Sequence, residues 1–209
     1  HLADGRDVFL NFREKAPGAA TARMFLDDKG EPVKDASLKG YLAAGVPGSV
    51  MGLDTLLTKY GTMPRDKVMA PAIKLAEEGF ILNQGDVDIL GSSLKSFAET
   101  PNVAAIFLNN GQPWKAGDKL VQTNLATTLK LIAKGGPDAF YKGSIADAIV
   151  GASSANQGIL SKKDFESYSV AEAEPIRCTY RNHEIISAPP PSPGGTAICQ
   201  SLNILKGYP

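Results

Sequence analysis

The sequence is poor in the residues that most often build metal and redox centres. It holds two histidines, His1 and His183, and two cysteines, Cys178 and Cys199, in 209 residues. Neither type recurs at the spacings a metal cluster requires, so no metal and no cofactor is expected. Charge bias is missing as well, because 22 Lys and Arg are balanced by 22 Asp and Glu. A chain of this kind sets up no long-range field for nucleic acid or an anionic membrane, and neither is expected as a partner. No apolar run reaches the roughly 18 residues that mark a membrane span. Glycine-rich phosphate loops of either nucleotide-binding type are absent. The chain starts on His1 without an initiating Met or a basic-then-apolar leader and stops at Pro209 after a helical pattern. That reads as a piece of a longer polypeptide, with any targeting signal upstream.

What is present suits a globular protein. The chain is 43% hydrophobic and 21% charged, long enough for a real core and short enough that a single domain over residues 1–209 is expected. The stretch that organises it is DVFLNFREKAPGAAT, residues 7–21. Val8, Leu10 and Phe12 alternate with Phe9, Asn11 and Arg13, the period of a strand with two different faces. Ala16, Pro17 and Gly18 then break the pattern as a turn. Arg13 therefore sits where a strand gives way to a loop, a common place for a binding residue. Its guanidinium can fork onto a carboxylate; read from the residues alone, a structural ion pair with a nearby Asp or Glu is the favoured reading.

Further along, Asp27 to Pro32 is polar and loop-like, and Tyr41 to Val46 reads as a short extended run. Pro47 is expected at the first position of a helix with Val50, Leu53, Leu57 and Tyr60 on one face and Gly61 at its end. A helix over residues 65–78, with Val68, Ala72 and Leu75 inward, contains Pro71 and should kink or start late there. Asn83 caps a third helix with Val87, Leu90, Leu94 and Phe97 inward. Ala104 to Leu108 is a strand or a buried connector. Val121, Leu125, Leu129 and Ile132 mark a fourth helix ending at Gly135, followed by a turn of helix with Phe140 and Tyr141 and another with Ile145 and Ile149. Ser161 and Asp164 resemble a capping box that starts a helix holding Phe165 and Tyr168. Ile176, Cys178 and Tyr180 then alternate, Arg181–Asn182 turns, and residues 183–188 return as a hairpin. Three prolines lead to a last helix with Ile198, Leu202 and Leu205 inward. The class is α/β (α+β), mostly helical.

PPPSPGG, residues 189–195, is the second singular stretch. Glycines at a helix start can turn backbone N–H groups towards an anion, but the stretch has no charged neighbour in sequence and reads better as a stiff connector. His183, alone in a strand after a turn, reads as a structural residue and not a general base.

The segment FREKAPGAAT resembles the part of the gamma-glutamyltranspeptidase family that carries the arginine for the donor's alpha-carboxylate. The segments AAGVPGSV, LLTKYGTMP, PAIKLAEEGF, LVQTNLATTL, GGPDAFYKG and APPPSPGG are similar to that family in the same order, so the resemblance covers essentially all 209 residues. It implies the layered αββα fold of N-terminal-nucleophile hydrolases, incomplete in this chain, and a place within the large subunit. It implies an enzyme that cleaves gamma-glutamyl amides such as glutathione and passes the acyl group to water or to an amino acid or peptide. Arg13 would be the substrate-binding residue. The nucleophile would be a threonine at the N-terminus of a small subunit, freed by self-cleavage. Nothing in this chain resembles that start, and Thr127 and Thr128 lie in a helical pattern, so no catalytic residue is expected here and the fragment alone should be inactive. Where the family usually has PPPSSGG this chain has Pro193 for the second serine, which removes one hydroxyl and one N–H. Bacterial members are commonly exported to the periplasm or beyond, where disulfides persist; Cys178 and Cys199 are either bridged or two separate buried thiols. Two other readings stand beside this one. A cephalosporin or glutaryl acylase relative would take donors without the alpha-amino group. A non-catalytic binding module would need an exposed apolar stripe, and no obvious one is seen.

Overall fold

A computed structural model describes residues 1–209. In chain order the elements are β1 (Phe9–Asn11), a 3-10 turn (Tyr41–Ala43), α1 (Ser49–Tyr60), α2 (Arg65–Glu78), β2 (Phe80–Ile81), α3 (Gln84–Gly91), α4 (Leu94–Ala98) and α5 (Pro101–Phe107). There follow β3 (Lys119–Leu120), α6 (Thr123–Gly135), α7 (Pro137–Tyr141), α8 (Ser144–Ala155), α9 (Lys162–Glu166), β4 (Ala171–Ala173), β5 (Ile176–Tyr180), β6 (His183–Ser187) and α10 (Pro193–Leu205). The strands pair as three two-stranded antiparallel sheets, β1 with β4, β2 with β3 and β5 with β6. This is a mixed α/β fold with helices in the majority. No helix is long and apolar enough to cross a membrane. The chain forms two compact units, residues 1–62 with 140–209, and residues 63–139.

The first unit is built around Val46, Tyr141, Ala146, Leu160, Phe165 and Tyr168, with Val50, Met51 and Phe140 packed against them. The Tyr141 and Tyr168 rings stack at 5.6 Å and 11°, and Phe165 leans on Tyr141 at 6.2 Å. A capping box turns Phe165 and Tyr168 inward: the Ser161 hydroxyl accepts from the Asp164 N–H, and the Asp164 carboxylate accepts from the Ser161 N–H at 2.8 Å. β1 and β4 pair from Phe9↔Ala173 to Asn11↔Ala171. Glu172 on β4 then accepts from Lys59 Nζ at 2.6 Å and the Tyr60 hydroxyl at 2.7 Å, tying the small sheet to the end of α1. At the start of β1 the buried Asp7 pairs with Arg177 of β5, which also reaches Glu184 of β6 at 2.9 Å. The β5–β6 turn has positive φ at Arg181 (44°) and Asn182 (66°), the backbone that matches a two-residue hairpin to the strand twist. α10 lies so close to the end of β6 that a Cβ on Gly195 would come within 2.5 Å of the Ala188 carbonyl oxygen.

In the second unit α2 packs against α6, burying Ala76, Ala126 and Ile132. The β2–β3 ladder stands beside the buried Leu82 and Leu120. Asn83 caps α3 in a box with Asp86, as its sequence position implies.

Several local expectations are corrected. Residues 104–108 lie mostly in α5, which Pro101 opens, and not in a strand. The third helix breaks at Ser92–Ser93 into α3 and α4. α2 starts at Arg65 and runs through Pro71 without a late start; its inward residues are Met69, Ile73 and Ala76, while Val68 and Leu75 are exposed. The 41–46 run is a 3-10 turn followed by a single bridge, Val46 to Lys15, and α1 begins at Ser49, two residues beyond Pro47. Ile198 and Leu205 of α10, read as inward, are 48% and 47% exposed.

Candidate functional site

Arg13 lies two residues beyond the last residue of β1, in a stretch without ladder pairing that runs to the Lys15–Val46 bridge. Its side chain is 59% exposed, and its ion pair is with its neighbour Glu14 at 3.6 Å, itself 64% exposed. The ion pair read from the residues alone is thus present, but an exposed pair between adjacent residues contributes little to folding. Arg13 is among the residues lining an open cleft of about 540 Å³, formed by residues 9–14 and by Gly45, Pro47, Gly48 and Ser49. Gly48 and Ser49 bring the positive end of the α1 dipole to the same wall, so the cleft suits an anionic group.

The backbone around this side chain is held far more firmly than the side chain itself. The Tyr168 hydroxyl donates to the Arg13 carbonyl at 2.8 Å, and the Arg13 N–H donates to Asn11 Oδ1 at 3.2 Å. Lys15 Nζ reaches the Ser169 carbonyl at 2.9 Å and sits 4.9 Å over the Tyr168 ring. The Gly18 N–H donates to Asp164 Oδ1 at 2.7 Å. Burial works against the Asp164 carboxylate, but the Ser161 hydroxyl and the Gly18 and Ser161 N–H groups outweigh it and hold its pKa below the usual value. Burial, helped by the nearby Glu14 carboxylate, raises the Tyr168 pKa, so its hydroxyl remains a donor at any ordinary pH. Residues 13–18 are thus pinned at three points to residues 164–169.

The wall facing Phe12 needs glycine for lack of room. A Cβ on Gly48 would lie 2.0 Å from the Tyr168 hydroxyl oxygen and 2.1 Å from the Phe12 carbonyl oxygen, and one on Gly52 would lie 2.1 Å from the Phe12 ring. The spacing of four sets both on one side of the start of α1.

The other residues singled out from sequence lie elsewhere. His183 is exposed beside the hairpin turn, in a cleft with Arg181, Glu184 and Lys206. The Thr127 and Thr128 hydroxyls bond back to the Thr123 and Asn124 carbonyls, each at 3.1 Å, within α6. Pro193 opens α10, and Gly195 of the same stretch serves the close packing on β6. Cys178 on β5 and Cys199 on α10 are bonded through their sulfurs, with Cα atoms 5.9 Å apart.

The model of the family described as gamma-glutamyltranspeptidase matches residues 1–209. The chain belongs to the gamma-glutamyltranspeptidase family. Among curated members, the glutathione hydrolase proenzyme of Pseudomonas sp. (strain A14) is 52% identical over 209 residues, covering 100% of this chain and 36% of that protein. The Acylase ACY 1 proenzyme of Pseudomonas sp. (strain SE83) is 40% identical over 213 residues, covering 99% of this chain and 38% of the relative. Among solved structures, the gamma-glutamyltranspeptidase of Helicobacter pylori superposes with a TM-score of 0.96 at 41% identity, covering 100% of this chain and 60% of that one. The family's N-terminal-nucleophile hydrolase fold is therefore present here in part.

Sequence reading singled out Arg13 but not the residues that hold its main chain. Tyr168 and Asp164 were legible only as helix-packing and capping residues, and Gly48 was not singled out.

Proposed function

We propose that the chain is a segment of the large subunit of an enzyme that cleaves gamma-glutamyl amides such as glutathione. The gamma-glutamyl group passes to water, or to an amino acid or peptide. In this reading Arg13 forms a charge-assisted, forked pair with the alpha-carboxylate of the donor. A threonine hydroxyl at the N-terminus of a small subunit, produced by self-cleavage of the precursor, attacks the gamma-carbonyl. The amine leaves with a proton, and water or an acceptor amine then takes the acyl group from the threonine oxygen. Residues 1–209 supply the carboxylate contact and no reacting atom, so the segment alone is inactive. The protein acts in the bacterial periplasm or outside the cell.

The observation that carries this reading is the pairing of an exposed guanidinium with a fixed main chain at the rim of the cleft. Apolar side chains such as Leu53 (58% exposed) and Ile204 (67% exposed) fit faces that a small subunit would cover. The test is Arg13→Lys and Arg13→Ala in the full-length enzyme, after confirming self-processing. Both should lower donor kcat/KM, Arg13→Ala by a factor equivalent to about 2–4 kcal/mol, and Arg13→Lys should not restore it, because an ammonium lacks the planar fork. Unchanged donor kcat/KM would return Arg13 to a structural role.

The 40% identity to an acylase proenzyme favours a second reading within the family. A glutaryl donor keeps the terminal carboxylate and lacks only the alpha-amine, so Arg13 serves either substrate. Comparing gamma-glutamyl and glutaryl anilides on the full-length protein separates the two: preference for the glutaryl donor would assign acylase activity.

A further inference from the structure

We propose that Tyr168 is a positioning residue for Arg13, setting donor affinity from a buried site that never touches the substrate; this rests on the reading of Arg13 as the carboxylate contact. β1 ends at Asn11, and the next main-chain pairing is at Lys15. Between them the Arg13 peptide has no ladder to fix its tilt. A guanidinium at the end of a long side chain turns any such tilt into displacement at the carboxylate, and binding geometry tolerates little of it. Tyr168, 5% exposed, donates to the Arg13 carbonyl at 2.8 Å from 155 residues away in sequence.

The tyrosine is itself immobilised. One face of its ring stacks on Tyr141, the Lys15 ammonium lies over the ring, and the backbone at Gly48 leaves no space beside its hydroxyl. Tyr141 in turn donates to the Pro47 carbonyl at 2.8 Å and accepts from the Met51 N–H at 3.2 Å. The position of Arg13 is thereby referred, through two stacked phenols, to the start of α1, which lines the same cleft. A phenylalanine at 168 would pack as well and lose only the hydroxyl, so the role is separable from the core.

The experiment is a double-mutant cycle in the full-length, self-processed enzyme with a gamma-glutamyl anilide donor. Tyr168→Phe should raise donor KM about three- to tenfold, the equivalent of one lost neutral hydrogen bond, with kcat within about twofold. In an Arg13→Ala background the same substitution should change KM by less than about twofold, because the contact it positions is gone. An equal KM rise in both backgrounds, or none in Tyr168→Phe, would overturn the proposal while leaving Arg13 as the contact. If Arg13→Ala alone leaves donor kcat/KM intact, the reading of Arg13 fails and Tyr168 loses its role with it. Should Tyr168→Phe fail to mature, Lys15→Met releases another pin on the same loop from the surface; a KM rise of about twofold that vanishes with Arg13→Ala is then expected, and an unchanged KM would overturn the proposal.

Discussion

The unit formed by residues 1–62 and 140–209 buries Tyr141, Phe165, Tyr168 and Ser153, whereas the unit of residues 63–139 buries Ala76, Leu82, Leu108, Leu120, Ala126 and Ile132. The first core carries hydroxyls, and each has a main-chain partner: Tyr141 with Pro47, Tyr168 with Arg13, and Ser153 with the Leu160 N–H. The second core is aliphatic; α2 and α6 meet through it, with the half-exposed Lys130–Glu77 ion pair joining their side chains by charge. Aliphatic packing fixes helices but leaves a passing loop to its own devices; a buried hydroxyl names one peptide and holds it. The cleft bearing Arg13 belongs to the first unit, whose core carries the hydroxyls.

Core damage should therefore have different consequences in the two units. Ile132→Ala should cost about 3–4 kcal/mol of stability through lost burial and a cavity, yet leave donor KM unchanged in the mature enzyme. Gly48→Ala should cost about 3 kcal/mol, since its Cβ would meet backbone and a pinned hydroxyl, and should raise donor KM as well. Thermal unfolding and donor saturation on both variants check this; a KM rise in Ile132→Ala would erase the contrast.

The bond between Cys178 and Cys199 lies in the first unit and ties α10 to the hairpin. The unfolded, unreduced protein should titrate no free thiol, and Cys199→Ser should lose on the order of 3 kcal/mol in the loop-entropy account. Two free thiols would contradict it.

A smaller effect should appear in alkali. Burial raises the Tyr141 pKa to about 12, with Met51 N–H donation working against it and Tyr168 adding to it. The folded state then keeps a proton that the unfolded chain gives up near pH 10. The stabilisation is complete below about pH 10 and is lost as pH rises towards about 12, amounting to on the order of 2 kcal/mol. Tyr141→Phe should flatten that part of the stability–pH curve relative to wild type, measured by denaturant unfolding, and an unchanged curve would count against a buried, neutral Tyr141.

How much of this was legible in the sequence depended on distance along the chain. The hairpin of residues 176–187 was readable because alternation and turn residues are local, and so were the helix cap at Asn83 and the capping box at Ser161. β4 was not, since Ala171, Glu172 and Ala173 are small or charged and all exposed, with no period to betray a strand. α2 was read out of phase because Val68 and Leu75 are apolar but face outward. At the site, Arg13 emerged from a resemblance joined to a strand-to-loop reading. Its anchors come from 155 residues further on, a pairing that no periodicity carries.

The central claim is that Arg13 reads the donor's alpha-carboxylate. Its most direct test removes that carboxylate from the substrate and keeps the rest. With the full-length enzyme, wild type and Arg13→Ala are compared on a gamma-glutamyl anilide and on the 4-aminobutanoyl anilide, which lacks only the carboxylate. The expected result is that wild type strongly prefers the first donor in kcat/KM and that Arg13→Ala prefers it at least about tenfold less. A preference equally strong in both enzymes would contradict the account.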